Sequence, residues 1–306
     1  MPKNKCDIVA EILSYHFYLV ALHQILKTNI IYLHKMSVEG KVKPITISKL
    51  LAMKQNGEKI AMLTAYDYTF ASIAEQAQMD MILVGDSAAN VMAGYETTLP
   101  ITVDNMIYHA QCVTRAAKTP FVVVDMPFGS YQGNADVAVA NAIRIMKETG
   151  ASAIKMEGGI EIADTIKKIV NCGIPVVGHL GLAPQSINKY GSYGVRAKEQ
   201  QEAEKLMSDA LALQEAGCFA ITLEKIPAEL ATKVTKALDV ITIGIGAGNG
   251  CDGQVLVMHD MLGLNESFAP KFLRRFAQLH GQVLNAFVEY KEAVKRVDFP
   301  NENECY

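Results

Sequence analysis

At 306 residues the chain is long enough for two ordinary domains or one large single core, and its 50% hydrophobic and 20% charged content is that of a folded globule. A net charge of −3 supplies no basic field to gather nucleic acid, so small molecules are the expected partners. The six cysteines, Cys6, Cys112, Cys172, Cys218, Cys251 and Cys305, form no C-x-x-C pair, which argues against a zinc site or disulfide framework and for a reducing cytoplasm.

Residues 1–41 read as an N-terminal extension to a catalytic domain over 42–306. Asp7, Glu11, His16, His23 and Lys27 break the early apolar runs too often for a membrane span, which needs about 18 mostly apolar residues. Lys3 and Lys5 look like the start of a signal peptide, but Asp7 and Glu11 fall inside the would-be apolar region and no small-residue cleavage site follows. Met36-Ser37-Val38 therefore reads as the working start, and what precedes it as an upstream extension, disordered or non-native.

A short helix around Thr46 to Met53, with Ser48 as its candidate cap, is expected to cover one end of the core. Candidate strands follow at about 60–65, 81–85, 121–125, 153–157, 175–179, 219–224, 240–244 and 255–258. Several are rich in Val and Ile and apolar on both faces, as in a parallel sheet buried on both sides. Amphipathic segments lie between them. Ala135 to Thr149 and Lys198 to Ala216 each run into a glycine, Gly150 or Gly217, that suits a helix end, and a last helix covers about Gln282 to Arg296. The repeating strand–helix unit predicts an α/β fold, a single (β/α)8 TIM barrel with an N-terminal capping helix; a doubly wound open sheet is the alternative.

In such a barrel the chemistry sits where the strands end. Met81 to Val84 leads to Gly85-Asp86-Ser87, Phe121 to Val124 ends in Asp125, and Ala153 to Met156 ends in Glu157. Three acids from successive strands offer hard oxygen donors suited to Mg²⁺, whereas each alone could simply cap a helix or face solvent. Lys155, two residues before Glu157, shares its face and points into the barrel, toward a substrate carboxylate or a structural acid partner. Glu224 ends the run Phe219 to Leu223. A carboxylate in a largely apolar mouth is poorly solvated and so a better proton acceptor, but pairing with Lys225 is the plainer reading.

His179 opens the loop His179-Leu180-Gly181-Leu182-Ala183-Pro184-Gln185 and is either a substrate contact or a structural histidine; His259 takes the structural reading. The run Gly244-Ile245-Gly246-Ala247-Gly248-Asn249-Gly250 invites a dinucleotide-binding reading, but another strand follows instead of a helix. Close approach of backbone to a ligand is expected there.

Taken together, these blocks resemble the ketopantoate hydroxymethyltransferase family over residues 42–300. The likeness rests on Leu63-Thr64-Ala65-Tyr66-Asp67-Tyr68, Val84-Gly85-Asp86-Ser87, Thr98-Leu99-Pro100-Ile101-Thr102 and Val124-Asp125-Met126-Pro127-Phe128. It continues through Lys155-Met156-Glu157-Gly158-Gly159, Gly178-His179-Leu180-Gly181-Leu182, Ile243 to Gly248 and Val257-Met258-His259-Asp260.

The resemblance implies that Asp86, Asp125 and Glu157 hold Mg²⁺, that Asp86 and Ser87 also contact the keto acid, that Lys155 binds it, and that Glu224 accepts the proton; Asp125 and His179 are further candidate substrate contacts. It implies a homodecamer that joins a one-carbon unit from 5,10-methylenetetrahydrofolate to C3 of 3-methyl-2-oxobutanoate, giving ketopantoate. The competing readings are a Mg²⁺-dependent lyase or mutase of the phosphoenolpyruvate mutase/isocitrate lyase type, and a scaffold that only binds keto acids. Two stretches depart from the family pattern: residues 1–41, and the loop Gly191-Ser192-Tyr193-Gly194-Val195-Arg196-Ala197-Lys198, where loop closure would be affected.

Overall fold

In the computed structural model, which describes residues 43–306, eight parallel strands close on themselves in sequence order. They are β1 (Ile60–Thr64), β2 (Met81–Val84), β3 (Phe121–Asp125), β4 (Ala153–Glu157), β5 (Val176–Gly181), β6 (Ala220–Glu224), β7 (Ile241–Ile245) and β8 (Gly253–Leu256). Pairing of β1 with β8, Met62 opposite Val255, leaves no sheet edge, so the barrel replaces the open-sheet alternative. The expected extension, with its start at Met36, lies outside the described residues.

Side chains alternate along a strand, and here the alternation sorts them between two cores. Ile60, Met62, Met81, Leu83, Phe121, Val123, Ala153, Val177, Ile241 and Ile243 fill the barrel interior. Their neighbours Ile82, Val84, Val122, Val124, Ile154, Met156, Ile221 and Leu223 face outward and pack with residues of the surrounding helices. Each large apolar side chain buried this way contributes about 1.5–3 kcal/mol. Double burial explains why the strands read as continuous apolar runs.

The helix Ile47–Gln55 supplies Leu50 and Met53 to the interior cluster and closes the N-terminal end of the barrel. Its cap is Thr46, whose hydroxyl accepts from the Lys49 amide at 3.3 Å; Ser48 lies one residue inside the helix, too late to serve. Between β3 and β4, Asn134 caps the helix Ala135–Thr149, which ends in the left-handed Gly150 at φ 69°. The helix Gln200–Glu215 precedes β6, and the last helix, Leu279–Lys295, buries none of its residues. Among the described residues no helix is long and apolar enough to cross a membrane.

Candidate active site

The alternation that fills the lower barrel with apolar groups delivers charge to its upper rim. On β3 the inward positions run Phe121, Val123, Asp125; on β4 they run Ala153, Lys155, Glu157. Val177 is followed two residues later by His179, and Ala220 by Thr222 and Glu224. Asp86 arrives just past β2, where its amide donates to Asp125 Oδ2 at 3.0 Å. A Cβ on Gly85 would sit 2.7 Å from Ser87 Oγ, so a side chain there would displace the Ser87 hydroxyl.

Asp86, Ser87, Asp125, Lys155, Glu157, His179 and Glu224 all line one cavity of about 450 Å³, so every residue singled out by sequence meets there. Lys155 Nζ lies 2.9 Å from Asp125 Oδ1. His179 stands between two acids, Nδ1 3.2 Å from Glu157 and Nε2 3.2 Å from Glu224, the second contact not aligned as a hydrogen bond. The side chains of Lys155, Glu157 and His179 are almost fully buried, whereas that of Glu224 is 16% exposed. Glu224 is therefore the acid of this row most open to an incoming molecule.

Burial and Lys155 both push the His179 imidazole down, but Glu157 and Glu224 outweigh them and raise it to about 9. The ring is accordingly a cation at neutral pH. Its Nδ1 lies 3.2 Å from Glu157 Oε1 and 3.1 Å from Lys155 Nζ. Burial likewise opposes the Lys155 charge, yet Asp125, Glu157 and Asp86 hold the ammonium above its ordinary range. Burial would raise Glu157, but His179 and Lys155 bring it below. Asp86 has no such cation of its own. Burial, then Asp125 and Glu157, push it up to about 8.

Four acids face two cations, and this surplus is chemistry that a divalent cation would relieve. As the side chains stand, no three His, Cys, Asp or Glu groups among the described residues gather closely enough to hold a metal. The reason is visible in Glu157, which gives one oxygen to His179 and the other to the Gln185 amide at 2.9 Å. Asp86 and Asp125, with oxygens toward the same cavity, fit the donor chemistry of Mg²⁺. Glu157 would join them by releasing one of its partners.

Two alternatives raised by sequence now separate. Lys155 has a structural acid partner, Asp125, and still lines the cavity. Glu224 does not pair with Lys225, which instead donates to the Tyr193 carbonyl and sits 6.0 Å from the Phe272 ring centre. His259 takes its structural place, packed against Tyr66 with ring centres 5.6 Å apart. Within the glycine run, Gly246 lies beside Lys225 and Phe272, which line the cavity, while two later glycines press against protein. A Cβ on Gly248 would lie 2.4 Å from Ala228, and one on Gly250 would lie 2.1 Å from Thr232, so these two glycines admit the preceding helix, Ala228–Ala237. In the divergent loop, Arg196 pairs with Glu202 and stacks 4.2 Å over Tyr190.

Sequence reading missed Gln185 and Tyr131. The Gln185 amide nitrogen donates to Asp86 Oδ2 and to the Met126 carbonyl, both at 2.9 Å, while its oxygen accepts from Tyr131 at 2.8 Å. Tyr131 in turn accepts from the Glu157 amide at 2.9 Å. This buried network ties the Asp86 carboxylate to the backbone of Glu157. The one signal was the unusual loop that Gln185 ends.

Comparison with known proteins places the chain in a family. The sequence profile of the ketopantoate hydroxymethyltransferase family matches residues 44–302. The 3-methyl-2-oxobutanoate hydroxymethyltransferase of Christiangramia forsetii is 61% identical over 272 residues, 89% of this chain and all of that one. The enzyme of the same name from Bacteroides thetaiotaomicron is 61% identical, covering 88% of this chain and 98% of its own. Among solved structures, phosphonopyruvate hydrolase in complex with oxalate and Mg²⁺ superposes with a TM-score of 0.56 at 13% identity, over 84% of this chain and 92% of that one. A 2,3-dimethylmalate lyase of the phosphoenolpyruvate mutase/isocitrate lyase superfamily gives 0.54 at 17%, over 83% and 89%. These two share the fold.

Proposed function

The chain belongs to the ketopantoate hydroxymethyltransferase family and transfers a hydroxymethyl group to 3-methyl-2-oxobutanoate, and we propose that it does so through an enolate formed at the Glu224 end of the buried row. The observation that carries this reading is the sequence of contacts Glu224–His179–Glu157, next to Lys155–Asp125, on one cavity wall. It combines a base, a cation beside the base and an anion-binding ammonium.

C3 of the keto acid is a poor carbon acid, so its proton leaves only where negative charge on the keto oxygen is stabilised. Lys155 binds the substrate carboxylate and orients C3 toward Glu224; Asp86, Asp125, Ser87 and His179 complete the contacts. Glu224, the more open acid, removes the proton, with the His179 cation holding its carboxylate in place. Asp86, Asp125 and Glu157 would hold Mg²⁺, which supplies Lewis-acid stabilisation of the developing oxyanion when bound. The enolate carbon then forms a bond to the methylene carbon of 5,10-methylenetetrahydrofolate. Overall, the methylene carbon and one water replace the C3 hydrogen by CH₂OH, and the two donor nitrogens leave as N–H groups of tetrahydrofolate.

The test is two assays on the full chain. Ketopantoate formation should require the folate donor and Mg²⁺. Deuterium uptake at C3 should occur with Mg²⁺ in the absence of folate. Loss of both requirements, or lyase activity on a 2-hydroxy diacid in their place, would overturn the reading. Homo-oligomeric assembly belongs to the same proposal, and the unburied helix Leu279–Lys295, with Leu284 52%, Phe287 68% and Tyr290 62% exposed, supports it. Light scattering reads the assembly directly.

A further inference from the structure

The loop 191–198, which departs from the family pattern, is tied to the residue that follows the base. From Ser192 to Val195 this loop is exposed, and among the described residues its one hydrogen bond is the one that the Lys225 ammonium donates to the Tyr193 carbonyl. One residue further on, the Arg196 amide donates to the Lys225 carbonyl at 2.8 Å, and the Lys225 amide donates to the Ile245 carbonyl at 2.8 Å. The lysine stem packs beside Gly246, where a Cβ would lie 3.1 Å from Lys225 Cγ and 3.1 Å from Phe272 Cδ1. Lys225 thus joins the ends of β6 and β7 to the loop.

This junction is strained. Lys225 has φ 45° and Ala197, next to Arg196, has φ 53°, both in the left-handed region that residues with a Cβ seldom enter. Strain of this kind persists only where the surrounding contacts impose it, and it gathers beside functional groups. The ammonium is also placed unusually: Glu224, its neighbour in sequence, faces His179, and Lys225 is directed to a carbonyl instead of an acid.

The part of the loop held in this way is the part that reaches the cavity. Tyr193 lines it together with Asp86, Glu224 and Lys225, and is 45% exposed. Partial burial, then Asp86 and Glu224, raise its phenol above the ordinary range, which puts the hydroxyl in the field of the base.

We infer that Lys225 is a positioning residue, a latch that holds the loop 191–198 so that Tyr193 covers the cavity beside Glu224 and the enolate meets the one-carbon donor before it meets water. The inference rests on the enolate reading given above. At an open mouth solvent returns a proton to C3, whereas at a covered one the same carbon forms its bond to the methylene carbon. Releasing the latch shifts the partition between these two fates and leaves the base in the chain.

The test measures that partition on the full chain in deuterated water, with the methylene donor well above its KM for each variant, as deuterium gained at C3 of the recovered keto acid per ketopantoate formed. Lys225→Met keeps an unbranched stem and removes the ammonium, and should raise the ratio roughly fivefold or more. Tyr193→Ala should raise it as well, and because Tyr193 sits on an exposed loop this variant decides the matter if Lys225→Met fails to fold. The double variant should be no worse than the larger single one, since both act through one contact. Lys225→Arg, which keeps a cationic donor, should recover most of the coupling. A ratio close to that of the wild type in Tyr193→Ala or in folded Lys225→Met, including equal losses of exchange and transfer, or additive effects in the double variant, would overturn the inference. Failure of the underlying reading looks different: the wild-type protein would show no exchange at C3.

Discussion

The two ends of the barrel are made by the same strands with the same alternation, and they could hardly differ more in chemistry. At the N-terminal end Phe121 and Phe219 meet edge to face with ring centres 5.4 Å apart, and Leu50 and Met53 close the floor. Four residues further along β3, and within the length of β4, the interior positions are Asp125, Lys155 and Glu157. The apolar end gains by excluding water. The polar end keeps ionised groups in the same dry interior only because each acid is set against a cation or a hydrogen-bond donor, and Asp86, the least compensated, is pushed up to about 8. One end holds the strands in register so that the other can place charges to within a hydrogen bond.

That contrast can be broken at either end. The largest effect is expected from Glu224→Gln, a loss of about 10²–10⁴-fold in C3 exchange with keto acid binding retained. Exchange near the wild-type rate would remove Glu224 from the role of base. Phe121→Ala at the opposite end should cost about 3–5 kcal/mol in urea denaturation while the folded fraction keeps its turnover number. A change in turnover instead of stability would mean that the two ends are not separable.

Smaller effects probe how the charged end is held. Gln185→Leu leaves Asp86 Oδ2 and the Tyr131 hydroxyl without their partner and should weaken Mg²⁺ binding by about 10–100-fold, read by calorimetry without substrate. Wild-type affinity in that variant would reduce Gln185 to a loop residue.

The gentlest test is pH. Asp86 is raised from 3.8 to about 8 and His179 from 6.5 to about 9, so the folded chain holds both protons more tightly than the unfolded one. Stability from these groups is complete below the unfolded values and is lost as pH rises through the folded ones. In chelator, Tm should fall by a few degrees between pH 6.5 and 9, and Asp86→Asn should flatten part of that fall. An identical slope in the variant would contradict the raised Asp86.

Residues whose role follows from position along one strand were legible. Lys155 and Glu157 are two apart, and a strand has a period of two, so their common inward face is a property of the chain alone. Asp125 and Glu224 were legible as strand ends for the same reason. His179 was not. What makes it a cation is that β5 lies between β4 and β6, with Glu157 opposite His179 and Glu224 opposite Gly181, and no pattern within one strand encodes its lateral neighbours. Gln185 lies 99 residues from Asp86, and a loop glutamine carries no mark of the acid it will hold. The later glycines of the run show a different limit. Glycine permits close approach of anything, and only packing reveals that Ala228 and Thr232 are what approach.

By itself, then, the amino-acid order determined the alternation of strand and helix, the inward face of each strand and the chemical type of each strand end. These are local properties, set by backbone period and by which side chains leave water. The tertiary structure decided which acid meets which cation, and why burial and neighbouring acids leave Asp86 raised while His179 and Lys155 bring Glu157 down. Those depend on charges and hydrogen bonds between residues far apart in sequence, whose distances exist only once the barrel has closed.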